Sequence, residues 1–382
     1  MKWINEEQRA LQSAVRRAVE NDIAPAALKM DTTDRPSPTV ISSLHNLGVL
    51  TMCHPQRVGG QQFDAVSLCL VMEEVAKASP AAAVMCVATW AAVNVLGERP
   101  SERVDAVLAG MMEKPTLASY CLSEPRGGSD VANMETRARL VDNGYVINGT
   151  KCWVTNGGEA GVYVVFAADR PGTGATGITA FIAEAGVSGL NVTRLEDKMG
   201  TRGTTLAEIQ LSDLHIPSND RVGEEGEGLK LAMASQNVSR VSLAASCVGL
   251  AQAALDHAIQ YSQERTQFGR PIGDFQSMQF KLADMATKVE VARCITYRAA
   301  QEIENSGRAS KISRRLAAMA KMYTSDVAME VTVDAVQIFG ASGYIKGAPV
   351  EMLMRDAKVF QIFAGTNEIQ KQTIFKNLQE HS

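Results

Sequence analysis

Tyr120-Cys-Leu-Ser-Glu-Pro-Arg-Gly-Gly-Ser-Asp130 marks the place where the grain of this chain changes. Its cluster of Pro, Gly, Ser and Asp is turn chemistry, incompatible with a continuing helix. On its N-terminal side, residues 1–112 read as helix. Apolar positions recur at 3–4 spacing over Ile4 to Leu28, Ser37 to Leu50 and Asp64 to Lys77. Pro25, Pro36 and Pro38 fall near segment ends, where proline is tolerated. The run from Pro80 to Leu96 is almost wholly apolar and suits a helix buried on all sides, with Trp90 projecting from it.

From about 113 to 225, Gly, Thr, Val and Ile rise and short apolar runs alternate with turns. Asn143-Gly144 between two strand-like runs is a hairpin signal. Gly161 to Ala167, Gly177 to Ala183 and Leu206 to Ile216 read as further strands of a mostly antiparallel sheet. Helix returns after Glu227, with long amphipathic segments Leu229 to Arg265, Phe275 to Ser306 and Lys311 to Phe339. Shorter ones follow at Val350 to Phe360 and Asn367 to Leu378. The expected architecture is α+β in three domains: an α-helical domain 1–112, a central antiparallel β domain 113–225, and a C-terminal four-helix bundle 226–382.

The bulk numbers narrow the function. With 382 residues, 46% apolar and 21% charged, the chain suits a globular enzyme of two or three domains. A net charge of −4 with mixed signs offers no basic face for nucleic acid. No run of eighteen uncharged apolar residues argues for a membrane span. The opening Met1-Lys2-Trp3-Ile4-Asn5-Glu6-Glu7 lacks a signal-peptide apolar stretch and is too acidic for a transit peptide, so a cytoplasmic location is expected. Seven cysteines form no Cys-x-x-Cys pair, and six of them lie in apolar or mixed segments and read as buried thiols in a reducing compartment; five scattered histidines have no metal-ligand spacing.

Four local patterns spread over nearly 250 residues resemble the acyl-CoA dehydrogenase family, in order and spacing, over essentially the whole chain. They are Tyr120 to Asp130, Asn148-Gly-Thr-Lys-Cys-Trp-Val-Thr-Asn-Gly-Gly158, Glu264-Arg-Thr-Gln-Phe-Gly-Arg270, and Asp334-Ala-Val-Gln-Ile-Phe-Gly-Ala-Ser-Gly343 with Met354-Arg-Asp356 and Gln361-Ile-Phe-Ala-Gly-Thr-Asn-Glu-Ile-Gln370. The resemblance implies FAD. It places Tyr120, Leu122 and Ser123 along the isoalloxazine, with Trp153 and Thr155 against it and the threonine hydroxyl near N5. A donor at N5 polarises the atom that takes the hydride. Ser129 is implied to face the CoA pantetheine and phosphates, and Arg126 stands where glycine is usual.

Arg265 offers a forked donor suited to pyrophosphate, with Gln267 and Phe268 completing the turn. By resemblance this segment holds a neighbouring subunit's FAD, and Gln337 and Gly340 make adenine-side contacts across the dimer. Thr366 and Glu368 resemble contacts to the ADP part, beside a helix N-terminus. Asn237, Arg240 and Gly365 fall at the acyl and CoA site. Cofactor contacts from two chains imply a homo-oligomer, commonly a dimer of dimers and so a homotetramer. Electron-transfer flavoprotein is the implied electron acceptor.

One expectation fails in the sequence itself. Oxidising an acyl thioester at Cα–Cβ needs a carboxylate base for the α-proton while the β-hydrogen leaves as hydride. The family supplies that glutamate just before the Gly-Thr of the last motif, which here is Ala364, or just before the helix arginine, which here is Ser239. A positioned base is worth roughly 10²–10⁴-fold, about 3–5 kcal/mol of barrier. Four explanations stay open: an alanine substituted to trap substrate, a base at a third position, chemistry that needs no such base, or a non-catalytic flavin-binding partner subunit. Enoyl reduction, elimination such as desulfination, and oxygenation belong to the third. The leading expectation is dehydrogenation of a short- or medium-chain acyl-CoA.

Overall fold

The computed structural model describes residues 4–379; the first three residues of the acidic start lie outside them. Six helices come first: α1 (Glu6–Ala18), α2 (Ala24–Thr33), α3 (Pro38–Asn46), α4 (Ala65–Ala78), α5 (Pro80–Gly97) and α6 (Glu102–Glu113). The segment read as one helix from Ile4 is interrupted by a π-type turn at Val19–Ile23. Pro25 and Pro38 occupy first-turn positions of α2 and α3, where a missing N–H costs nothing. Asn5 and Gln8 form a reciprocal capping box on α1, and Ser79 caps α5.

The sheet domain holds β1 (Ala118–Cys121), β2 (Arg137–Val141), β3 (Gly144–Thr155), β4 (Val162–Ala168), β5 (Ile178–Glu184), β6 (Leu190–Leu195), β7 (Leu206–Pro217) and β8 (Arg221–Val222). Strand order is β6-β7-β3-β2-β4-β5-β8, with β1 beside β4. Most pairings are antiparallel, but β1–β4 and the single β2–β4 contact are parallel, so the sheet is mixed. In the β2–β3 hairpin the ladder closes Val141 on Gly144. Asp142 and Asn143 therefore make the turn, and Gly144, at φ 146°, opens β3. An added Cβ there would lie 2.1 Å from the Ile216 carbonyl oxygen, which explains the glycine.

Alternation along β4 divides two cores. Val162, Val164 and Phe166 join the apolar cluster shared with the helices, whereas Tyr163, Val165 and Ala167 join a smaller cluster closed by the rest of the sheet.

After the sheet come α7 (Gly228–Glu264), a short hairpin of β9 (Thr266–Gln267) and β10 (Arg270–Pro271), α8 (Gln276–Ser306), α9 (Lys311–Phe339), α10 (Pro349–Phe360) and α11 (Asn367–Gln379). Helices α5 and α7 are long and apolar enough to cross a membrane, yet both lie mostly buried inside the fold. They are core helices packed on each other. Trp90 is 2% exposed and its Nε1 donates to the Val49 carbonyl at 2.8 Å. Six of the seven cysteines are buried and Cys294 is exposed.

Candidate active site

The site begins with a buried lysine. Lys151 on β3 has no exposed surface, and its Nζ donates to the Leu122 carbonyl at 3.2 Å and to Glu124 Oε1 at 2.9 Å. The same carboxylate accepts the backbone N–H groups of Glu135 (2.6 Å) and Thr136 (2.9 Å). Burial alone would raise the Glu124 pKa, but the Lys151 charge and these donors outweigh it and hold the carboxyl below its usual range. One ion pair thus ties both ends of the 122–136 loop to the sheet. The Ser123 carbonyl accepts the Cys152 N–H at 3.1 Å, which fastens the loop's start.

The β3–β7 register slips between Lys151 and Val154, and that irregularity turns Trp153 outward at φ 53°, half exposed. The loop tip lies close by: a Cβ on Gly128 would sit 3.4 Å from Ser123 Oγ and 3.8 Å from the Trp153 ring. Thr155 is held through its carbonyl by Ser119 Oγ at 2.9 Å. Buried Asn156, at φ 65°, donates to the carbonyls of Met85 and Ala118 and so locks β3 to α5 and β1. The structure therefore gathers Tyr120, Leu122, Ser123, Trp153 and Thr155 on one wall. Ser129 is exposed beside a cavity of about 70 Å3 lined by Leu122, Glu124, Arg126 and Met134. Arg126 is a surface residue paired with Glu135 at 3.0 Å.

Helix α7 and the turn before α11 form the opposite side. Buried Arg240 donates through Nη1 to Asn237 Oδ1 at 3.1 Å and, more loosely, through Nε to the Ala364 carbonyl at 3.5 Å. Asn237 Nδ2 holds the Arg308 carbonyl at 2.9 Å. Ala364 adopts φ 54° and Gly365 φ 86°, so this turn is left-handed at two consecutive residues. Lys321, on α9, fixes it by donating to the Gly365 carbonyl (3.0 Å) and Asn367 Oδ1 (2.9 Å). Gln370 Nε2 holds the carbonyls of Ala364 and Gly365. Ser239 Oγ is spent on the Ser235 carbonyl one turn back.

Wall and helices meet at Tyr120. Its buried hydroxyl faces the side chain of neighbouring Gln236, whose interaction offsets part of the rise that burial imposes on the phenol, and the ring lies within electrostatic range of Arg240. Neither Lys151, Lys321, Asn156 nor Gln236 stood out in the sequence, because a lone buried polar residue has no spacing signature. An outward-facing indole and adjacent backbone groups fit a planar, heteroatom-edged ring laid on this wall.

The remaining candidates assemble elsewhere. Arg265, at the C-cap of α7, and Gln267 and Phe268, on the β9–β10 hairpin, all lie exposed, Phe268 at 93% exposure and φ 52°. Tyr261, one turn earlier, stacks on Phe339 at 4.1 Å, which brings that hairpin to the end of α9 carrying exposed Gln337 and Gly340. These five residues share one outer end of the bundle. Thr366 Oγ1 caps α11 through the Ile369 N–H. Glu368 is exposed, its pKa lowered by its own backbone N–H and by the Thr366 hydroxyl.

Three family models match in succession: the acyl-CoA dehydrogenase N-terminal domain over residues 5–106, the middle domain over 119–214 and the C-terminal domain over 226–379. The chain is 42% identical over 372 residues to the "Probable acyl-CoA dehydrogenase fadE25" of Mycobacterium leprae, covering 96% of this chain and 94% of that one. Butyryl-CoA dehydrogenase from Megasphaera elsdenii superposes with a TM-score of 0.93 at 36% identity over 98% of this chain and 99% of that chain. The FAD complex of PigA does so with 0.93 at 27% identity over 99% of each. With all three domains matched in order around the wall and turn described above, this chain belongs to the acyl-CoA dehydrogenase family.

Proposed function

We propose that this protein is an FAD-dependent oxidoreductase acting at Cα–Cβ of a short- or medium-chain acyl-CoA thioester. The observation that carries this reading is the meeting of the Tyr120–Ser123 and Trp153–Thr155 wall with Arg240 and the Ala364–Gly365 turn. When bound, FAD accepts a hydride at N5. The chain's own residues do the rest. Tyr120, Leu122, Ser123, Trp153 and Thr155 orient the ring, and the buried Lys151–Glu124 pair keeps that wall from reorganising. Ser129, Asn237, Arg240 and Gly365 hold the thioester arm. The exposed group around Arg265 and Gln337 is suited to a second subunit, and Thr366 and Glu368 to the ADP part. Reduced protein passes its electrons to an electron-transfer flavoprotein.

A second reading has one observation in its favour. At Ala364 and Ser239 there is no carboxylate, and Ser239 Oγ already donates within its helix. That arrangement suits a reaction whose acyl group needs no protein base, such as elimination of a β-substituent or enoyl reduction. Anaerobic titration of the FAD-loaded protein with acyl-CoAs of increasing length separates the two by flavin absorbance and product mass. Bleaching with a two-hydrogen loss from a saturated thioester supports the first. Bleaching absent with every saturated acyl-CoA, and not gained by Ala364→Glu, refutes it.

A further inference from the structure

Three lysine or arginine residues are buried among the described residues: Lys151, Arg240 and Lys321. A buried cation is ordinarily matched by a buried anion, because desolvation is otherwise uncompensated. Lys151 obeys the rule, with Glu124 at 2.9 Å. Arg240 and Lys321 do not: among the described residues neither has a carboxylate within ion-pair distance, and the two repel each other. Burial holds the Arg240 guanidinium down at about 10 and the Lys321 ammonium at about 8, the lysine being partly offset by the more distant Asp326 and Glu368. Both clasp the same turn. Arg240 reaches the Ala364 carbonyl, Lys321 the Gly365 carbonyl, and Arg240 Nη2 lies 3.8 Å from where a Gly365 Cβ would project.

Tyr120, its buried hydroxyl beside Gln236, lies within electrostatic range of Arg240. Arg240, whose Nε and Nη1 are engaged and whose Nη2 has no acceptor among the described residues, therefore faces Tyr120 and the Ala364–Gly365 turn with no carboxylate within ion-pair distance. From this juxtaposition we infer that the acyl group taken here carries its own anion, a carboxylate or sulfinate on a short chain, seated between Arg240 and Tyr120 beside Ala364. The substrate would bring into the site the negative charge that the protein lacks there. This inference rests on the acyl-thioester reading above.

The test uses the FAD-loaded oligomer and equilibrium dialysis, with flavin absorbance as a second readout. Succinyl-CoA and butyryl-CoA have acyl groups of equal length and differ in one terminal charge. The parent protein is expected to bind succinyl-CoA at least tenfold more tightly. Arg240→Gln should bring the two within about threefold, and Ala364→Glu, which supplies a protein carboxylate, should reverse the order. Equal or tighter binding of butyryl-CoA by the parent overturns the inference while leaving the acyl-thioester reading intact. If both thioesters fail to bind while FAD stays bound, the acyl-thioester reading falls and this inference with it.

Discussion

Replacing Lys151 with methionine tests whether the wall proposed to face the flavin is held by one buried charge pair. Methionine nearly matches the lysine stem in volume, so little cavity forms and the effect is electrostatic. The change removes two hydrogen bonds, to the Leu122 carbonyl and to Glu124 Oε1, and leaves Glu124 at 5% exposure without a counter-charge. Breaking a buried pair from one side costs about 3–5 kcal/mol. Glu124 keeps two backbone donors, from Glu135 and Thr136, which places the expected loss at the lower end, about 3 kcal/mol. The assay is urea unfolding at pH 7.5 followed by circular dichroism, with FAD retention after desalting measured on the same samples. Flavin affinity should fall at least tenfold, since Leu122 and Ser123 lose their anchor. Ile23→Ala, a cavity in the N-terminal helices with a cost of about 2–5 kcal/mol, is the control and should retain flavin. Adding Glu124→Gln to the methionine variant removes the unpaired charge and should recover part of the loss. A methionine variant within about 0.5 kcal/mol of the parent and fully yellow would refute the reasoning.

Gly365→Ala should cost about 1–3 kcal/mol, because φ is 86° and the new Cβ would lie 2.7 Å from Gln370 Nε2, a group that holds this same turn; an unchanged urea midpoint would count against a strained turn. Asp356 is fully buried, accepts the Thr201 N–H, and is pushed by burial up to about 7. The folded state therefore binds that proton more tightly than the unfolded chain, whose value is about 3.9. Its contribution is present below about pH 4 and is lost as pH rises through 7, a decline of roughly 2–4 kcal/mol. Asp356→Asn keeps the acceptor without titrating, so unfolding midpoints at pH 5 and pH 8 should converge for the variant and differ for the parent; parallel behaviour sinks the argument. Phe268→Asp changes a side chain at 93% exposure, nearly free of cost within one subunit. Sedimentation should show a smaller assembly if that hairpin packs on another copy, and an unchanged mass speaks against such packing.

The helical ends of the fold were legible because their periodicity is long and strong. The start of α9 at Lys311 and its end at Phe339 agree with the pattern to the residue, with Ser310 as cap and Gly340 in a positive-φ conformation after it. The sheet was legible in composition but not in direction. Nothing in Ala118 to Cys121 says that β1 runs parallel to β4, since that pairing is set by the tertiary placement of α5 and the loop from 122 to 136. Strand β6 was missed because Leu190 to Leu195 is an edge segment with every residue from Asn191 onward exposed, so no apolar alternation marks it. The π-type turn at Val19–Ile23 was invisible for a related reason: one extra residue per turn barely alters a 3–4 spacing.

The wall was readable only where residues cluster in sequence, and the charge balance was readable only in part. Two vacant carboxylate positions, Ala364 and Ser239, and the neighbouring Arg240 could be seen in the chain itself; the second buried cation, Lys321, could not. Lys321 lies 43 residues before Ala364 on a helix rich in other charges, and no spacing rule separates it from Arg314 or Arg315, which stay near the surface. Only the packing of α9 against the turn before α11 converts that lysine into a buried donor to Gly365. The missing glutamate is thus more than a lost base. With alanine there, the turn is clasped by Arg240 and Lys321, the carboxylates of Asp326 and Glu368 opposing the lysine, and discrimination among acyl groups by charge is what the succinyl-CoA and butyryl-CoA comparison would detect.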